Sequence, residues 1–155
     1  MKKIFLLMTA LMLIIGSAYS QKLTTDKVPA EVKAAFTKKF PDATKVGYEM
    51  EKTDYEVSFM LKGVEGSANF DKTGKWLETE TELTVAQIPA NVKATLDKEF
   101  AGYKIKEAVK VETPEVALKY EFDVAKGESK LEIEIATDGR LLKKTPVTEE
   151  DEEKD

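Results

Sequence analysis

The chain contains no cysteine and no histidine. Without cysteine there is no disulfide to staple the fold, so stability rests on a hydrophobic core, and there is no thiolate nucleophile. Without histidine there is no Ser-His-Asp triad, and the two absences together exclude the usual zinc sites and a haem held by histidine. Long apolar runs are scarce too. One stretches from Ile4 to Ile15, short of the roughly 20 residues that span a bilayer. It follows Lys2 and Lys3 and precedes the small residues Gly16-Ser17-Ala18-Tyr19-Ser20. That order predicts a signal peptide over residues 1–20, cleaved after Ser20, and hence a periplasmic or secreted protein with no membrane insertion after cleavage. No cysteine lies near the cleavage site to carry a lipid anchor.

Clustered basic charge is also missing. Beyond Ser20 the chain holds 22 basic against 29 acidic residues, and the segment Thr148–Asp155 alone contributes six acids and one lysine. No basic stripe with interleaved aromatics is present, so nucleic acid is not an expected partner. Residues 148–155 read as an acidic disordered tail.

What is there is a pattern stated twice. Val28-Pro29-Ala30-Glu31-Val32-Lys33-Ala34-Ala35-Phe36 returns as Ile88-Pro89-Ala90-Asn91-Val92-Lys93-Ala94-Thr95-Leu96. Tyr55-Glu56-Val57 returns as Tyr120-Glu121-Phe122, and Gly74-Lys75-Trp76-Leu77 as Gly139-Arg140-Leu141-Leu142. Pro29 and Pro89 suit helix starts, and Val32, Ala35, Phe36 and Phe40 fall on one helical stripe. Beyond each helix the apolar period changes to two. Tyr55, Val57, Phe59 and Leu61 alternate with Glu56, Ser58 and Met60, and Leu131, Ile133 and Ile135 with Lys130, Glu132 and Glu134; Val109 and Val111 read as core-facing. These periods predict an α+β fold, a tandem duplication of one helix followed by a four-stranded antiparallel meander, with the helices packed on one sheet face. Residues 21–83 would form the first repeat and 84–147 the second. About 60 residues make a marginal unit alone, so the two should share a core or continue one sheet.

Three motifs carry a resemblance: V-P-x-x-V-x-x-x-F-x-x-x-F-P at Val28–Pro41, Y-E-V-x-F at Tyr55–Phe59, and F-D-x-x-G-x-W-L-x-x-E at Phe70–Glu80. The chain resembles the PepSY-like, beta-lactamase-inhibitor-protein-like exported proteins of Bacteroidetes. That resemblance implies a non-catalytic binding module, inhibitor-like toward an envelope protein or peptide, that grips its target with an open sheet face. It supplies no contact residue.

Candidate binding residues come from the strand pattern. Trp76, the single tryptophan, shares strand parity with Glu78, Glu80 and Glu82. It is either an exposed anchor on the open face or a plug at the end of the core. Met60, Ser58 and Asn69, with Ser67 beside them, lie opposite the apolar side of the first meander, a nearly uncharged patch beside a densely charged second half. They are either a binding surface or an ordinary solvated sheet. Tyr48, Tyr55 and Tyr120 fall on the apolar parity and read as core. No pair of carboxylates stands out as catalytic, Asp71-Lys72-Thr73-Gly74 lacks calcium-loop spacing, and neither a metal nor a cofactor is expected. The alternative to a protein-binding module is a small-ligand-binding or envelope-stress accessory protein with a pocket between helices and sheet.

Overall fold

The computed structural model describes residues 21–147. The predicted signal peptide and acidic tail lie outside the described residues.

The strands are β1 (Gln21–Leu23), β2 (Thr44–Glu51), β3 (Asp54–Leu61), β4 (Val64–Phe70), β5 (Trp76–Glu82), β6 (Lys104–Glu112), β7 (Lys119–Lys126), β8 (Ser129–Ala136) and β9 (Leu141–Pro146). Helix α1 (Ala30–Lys39) follows β1, and α2 (Ala90–Glu99) follows β5. All nine strands form one antiparallel sheet in chain order. This corrects the expectation of an α+β molecule made from two helix-plus-four-strand meanders. The fold is mostly β, a single nine-stranded sheet with two ten-residue helices. The physical reason lies at β5 and β6. Thr79–Glu82 pairs with Val109–Glu112, so backbone groups that two separate sheets would leave as open edges are satisfied within one. Strand β1 adds to β2 from a lead that carries no strand signal of its own.

Each helix begins after a proline, Pro29 or Pro89, at its N-cap. Each buries one stripe. Val32 and Phe36 of α1 meet Val57, Phe59, Ala68 and Phe70. Val92 and Leu96 of α2 meet Phe122, Val124, Leu131, Ile133 and Ile135. Register shows that both helices cover the same face. Phe59, Gly66, Thr81, Lys110, Tyr120 and Ile135 are successive cross-strand partners, and direct partners point to one side. Phe59 belongs to the first cluster, Tyr120 and Ile135 to the second. Between the clusters that face is polar, with Thr79, Thr81 and a Lys110–Glu112 ion pair at 2.9 Å.

Hairpin turns lock the helices to the sheet. The Asp71 carboxylate accepts bonds from the backbone N–H groups of Thr73 (2.8 Å) and Lys75 (3.0 Å). This holds Gly74 at φ +81°, where an added Cβ would lie 2.6 Å from the Glu31 carbonyl oxygen at the start of α1. Only glycine permits both that backbone angle and that approach.

Candidate functional site

The face without helices is the candidate site. One row across it runs Ser58, Ser67, Glu80, Val111, Lys119. A second runs Glu49, Glu56, Asn69, Glu78, and a third runs Glu82, Val109, Glu121, Glu134, Lys143. Glu107 stands opposite Asp123 nearby. This face is therefore densely acidic on both halves, because β3 and β5 bring Glu56, Glu78, Glu80 and Glu82 beside the polar residues of β4. The nearly uncharged patch predicted for the first half is absent.

Two bulges decide which side chains arrive here. In β5, Phe70 pairs with Trp76 while Asn69 pairs with Glu78, so Leu77 is an extra residue. In β6, Ile105 pairs with Val124 while Glu107 pairs with Asp123, so Lys106 is extra. An extra residue reverses the facing of everything beyond it. Val109 and Val111, read from the sequence as core-facing, thus stand on the uncovered face. They are buried there and belong to neither helix-side cluster. The same device turns Trp76 toward α1, where it packs on the first cluster. Its indole Nε1 donates to Thr79 Oγ1 at 2.9 Å, and Lys39 Nζ lies 3.5 Å from the ring centroid.

Of the four candidate binding residues, the structure brings three together. Ser58 is exposed, Met60 half-buried and Asn69 buried, all on the uncovered face. Trp76 lies on the other. The strand pattern missed the carboxylates around them. Their signal was the run Glu78, Glu80, Glu82 on one parity, with Glu78 and Glu80 opposite Asn69 and Ser67 in register.

Burial makes these carboxylates unusual. Glu80 is 3% exposed and Glu121 5%. Desolvation, reinforced by Glu78, Glu121, Glu56 and Glu107, pushes the Glu80 carboxyl up to about 9. Burial, with Glu49 and Glu51 adding repulsion, lifts Glu56 to about 7. Burial with Asp123 and Glu82 lifts Glu107 to about 7. Glu78, Glu82 and Asp123 are raised as well, each by burial first and neighbouring carboxylates second. Lys119 answers part of this charge. Its Nζ lies 2.6 Å from Glu121 Oε1 and 2.9 Å from Glu134 Oε2; burial is the largest single influence on its pKa and lowers it, but the bonds and charges of the two glutamates together outweigh that and raise it. Among the described residues no group of three or more His, Cys, Asp or Glu side chains is placed to hold a metal ion.

On the helix side, a cavity of about 270 Å³ lies where α2 ends, lined by Leu96, Phe100, Tyr103, Ile105 and Val124 with Asp97 at its edge.

A single wide sheet with two helices on one face and a charged, uncovered second face defines the class of protein. The family model described as "Putative beta-lactamase-inhibitor-like, PepSY-like" matches residues 17–65 and 53–143, and the chain belongs to this PepSY-like family. Among solved structures it is similar to a BLIP-like protein from Bacteroides fragilis, at 27% identity and TM-score 0.72, over 77% of this chain and 87% of that one. It is similar in fold to a DUF2874 family protein from Bacteroides ovatus, at 23% identity and TM-score 0.75, over 80% of this chain and 91% of that one. A protein described as a putative periplasmic protein from Bacteroides eggerthii shares the fold at 23% identity and TM-score 0.73, over 78% and 90% of the two chains. Among curated proteins nothing matches the chain.

Proposed function

We propose that this chain is an exported, non-catalytic binding module that offers its uncovered sheet face to an envelope protein or peptide, in an inhibitor-like role. Residues 1–20 direct export and are removed after Ser20, leaving the protein periplasmic or secreted. The family and the BLIP-like relative support a binding role. The observation that carries it is the make-up of the uncovered face: Val109 and Val111 are buried among carboxylates with no helix above them, and Ser58 stands three strands along the same row as Val111. A desolvated centre with a polar surround is how protein interfaces are built. Ser58, Met60 and Asn69 belong to the contact surface, whereas Trp76 holds β5 against α1.

The test is capture from the organism's own envelope extract with the chain from Gln21, beside Ser58→Arg and Lys38→Glu variants. Ser58 and Lys38 are exposed on opposite sides of the molecule, so both variants should fold. One protein held by the native chain and by Lys38→Glu, but released at least tenfold by Ser58→Arg, is the expected result. Equal capture by all three would remove the uncovered face from the reading. Nothing captured would move attention to small ligands at the cavity beside α2.

A further inference from the structure

Negative charge on the uncovered face is answered unevenly, and the unanswered part selects a ligand. Toward β8, Lys119 bonds both Glu121 and Glu134, and Lys143 Nζ lies 3.5 Å from Glu134. Toward β3, Glu56, Glu78 and Glu80 meet no lysine or arginine at ion-pair distance among the described residues; Lys119 acts on Glu78 from further off, and no cation acts on Glu56 or Glu80. Ser67 sits at the middle of these three. Its direct register partners are Ser58 and Glu80, and Glu56 and Glu78 stand on its two diagonals, roughly 7–8 Å away across the strands. Ser67 is 1% exposed, and its Oγ has no hydrogen-bond partner. It lies near enough to Glu56 to temper that carboxyl's raised pKa without forming a bond of good geometry. A buried hydroxyl is normally partnered. Here it is left open inside a ring of carboxylates.

We infer that this corner of the uncovered face binds the guanidinium of an arginine presented by a protein partner, with Glu56, Glu78 and Glu80 accepting its N–H groups and Ser67 Oγ accepting one more. The inference rests on the binding role proposed above and narrows the partner's chemistry. Geometry favours this cation over the others. A calcium ion needs six to eight oxygens at about 2.3–2.6 Å from one point, and no three acidic groups here converge so. A guanidinium spreads five donors over a rigid plane, which suits acceptors held on three adjacent strands. It is also more weakly hydrated than a lysine ammonium, so it enters a desolvated site more readily. Glu56 and Glu78 are half-buried, so an approaching side chain meets these two first, with Glu80 and Ser67 Oγ enclosed beneath them. Burial and neighbouring carboxylates raise all three, although Lys119 and a hydrogen bond with Glu80 pull Glu78 back in part.

The experiment titrates the ¹⁵N-labelled chain from Gln21 with an acetylated, amidated Arg-Gly-Arg-Gly-Arg peptide, its citrulline counterpart, its lysine counterpart, and calcium chloride alone. The arginine peptide should shift the backbone amides of Ser67, Glu78 and Glu80 along a saturable curve. Ser67→Ala and Glu80→Gln should each weaken its Kd by roughly three- to tenfold, the size of one lost hydrogen bond. The citrulline peptide should give no saturable shift, and the lysine peptide should bind more weakly. Equal binding of the citrulline peptide, shifts centred elsewhere, or calcium alone shifting the same amides would overturn the inference. So would no binding of the arginine peptide. If Ser58→Arg still releases a captured partner in that case, the binding face stands and only the guanidinium is lost; if it does not, both fall.

Discussion

The two faces of this sheet bury different chemistry at similar depth. Beneath the helices, Phe70, Phe122, Ile133 and Ile135 are almost fully enclosed, and the clusters they anchor are built of aliphatic and aromatic side chains. On the other face, Ser67, Glu80, Glu121 and Val111 are enclosed nearly as well. The difference teaches that burial on the helix side follows side-chain polarity, whereas on the uncovered side it follows position in a wide sheet. Only the first kind returns free energy in proportion to apolar area. The second costs stability at each desolvated carboxylate. A face that is expensive to keep is better explained by what it binds than by what it stabilises.

The largest effect should come from the helix side. Phe70→Ala and Phe122→Ala each remove a ring that is 0% and 1% exposed respectively, at a cost of about 3–5 kcal/mol. Ser58→Ala, exposed on the uncovered face, should stay within about 0.5 kcal/mol. Urea unfolding measures all three. A phenylalanine variant losing less than about 1 kcal/mol would mean that the helix-side clusters are not the core, and the contrast between the faces would collapse.

The uncovered face makes an opposite kind of prediction. Glu56, Glu80 and Glu107 hold pKa values of about 7, 9 and 7 in the folded chain, against an ordinary 4.5. Between pH 4.5 and 9 the folded state therefore binds more protons than the unfolded one. Stability must fall as pH rises through that window, the reverse of the usual carboxylate behaviour. Tm should be lower at pH 8.5 than at pH 5.5, by roughly 5 °C or more. Glu80→Gln keeps the shape without the charge. It should stabilise the protein at pH 8 by about 1–3 kcal/mol and leave it unchanged at pH 4.5. Calorimetry across pH decides this. A Tm that climbs from pH 5.5 to 8.5 would mean these carboxylates are hydrated, and the cost assigned to the face would vanish.

How far the two faces could be read in advance depends on where the strand period holds. The stripes of Val32 and Phe36, and of Val92 and Leu96, were legible because three or four residues per turn is a strong signal. So was the alternation of Val57 with Ser58 and of Ile133 with Glu134. Family membership was legible in Val28–Pro41 and Phe70–Glu80. The joining of β5 to β6 was legible only as one of two alternatives, a shared core or a continued sheet, since pairing between segments far apart in the chain leaves no local mark. The facing of Val109 and Val111 was not legible, because a single extra residue at Lys106 reverses parity without altering composition; that of Trp76 was one of two readings, and the extra residue at Leu77 decides for the core end. The acidic field was hidden for a third reason. Each glutamate alternates with an apolar neighbour as a solvated residue would, and only register stacks Glu56, Asn69 and Glu78 into one row.

The smallest effect separates the faces most cleanly. Trp76→Phe keeps an aromatic ring against the first cluster. It removes the 2.9 Å bond to Thr79 Oγ1, leaving a hydroxyl on a residue only 5% exposed without that donor. It also weakens the stacking of Lys39 Nζ, 3.5 Å from the ring centroid, since phenylalanine attracts a cation less than tryptophan does. Together these should cost about 1–2 kcal/mol in urea unfolding. The variant's affinity for a captured partner should not change, because the indole lies behind the sheet that the partner faces. The native protein offers the complementary test, since Trp76 is its single tryptophan. Its emission maximum should stay fixed while the partner is titrated in. A shift on binding, or a tenfold loss of affinity in Trp76→Phe, would place the partner on the helix side and exchange the roles assigned to the two faces.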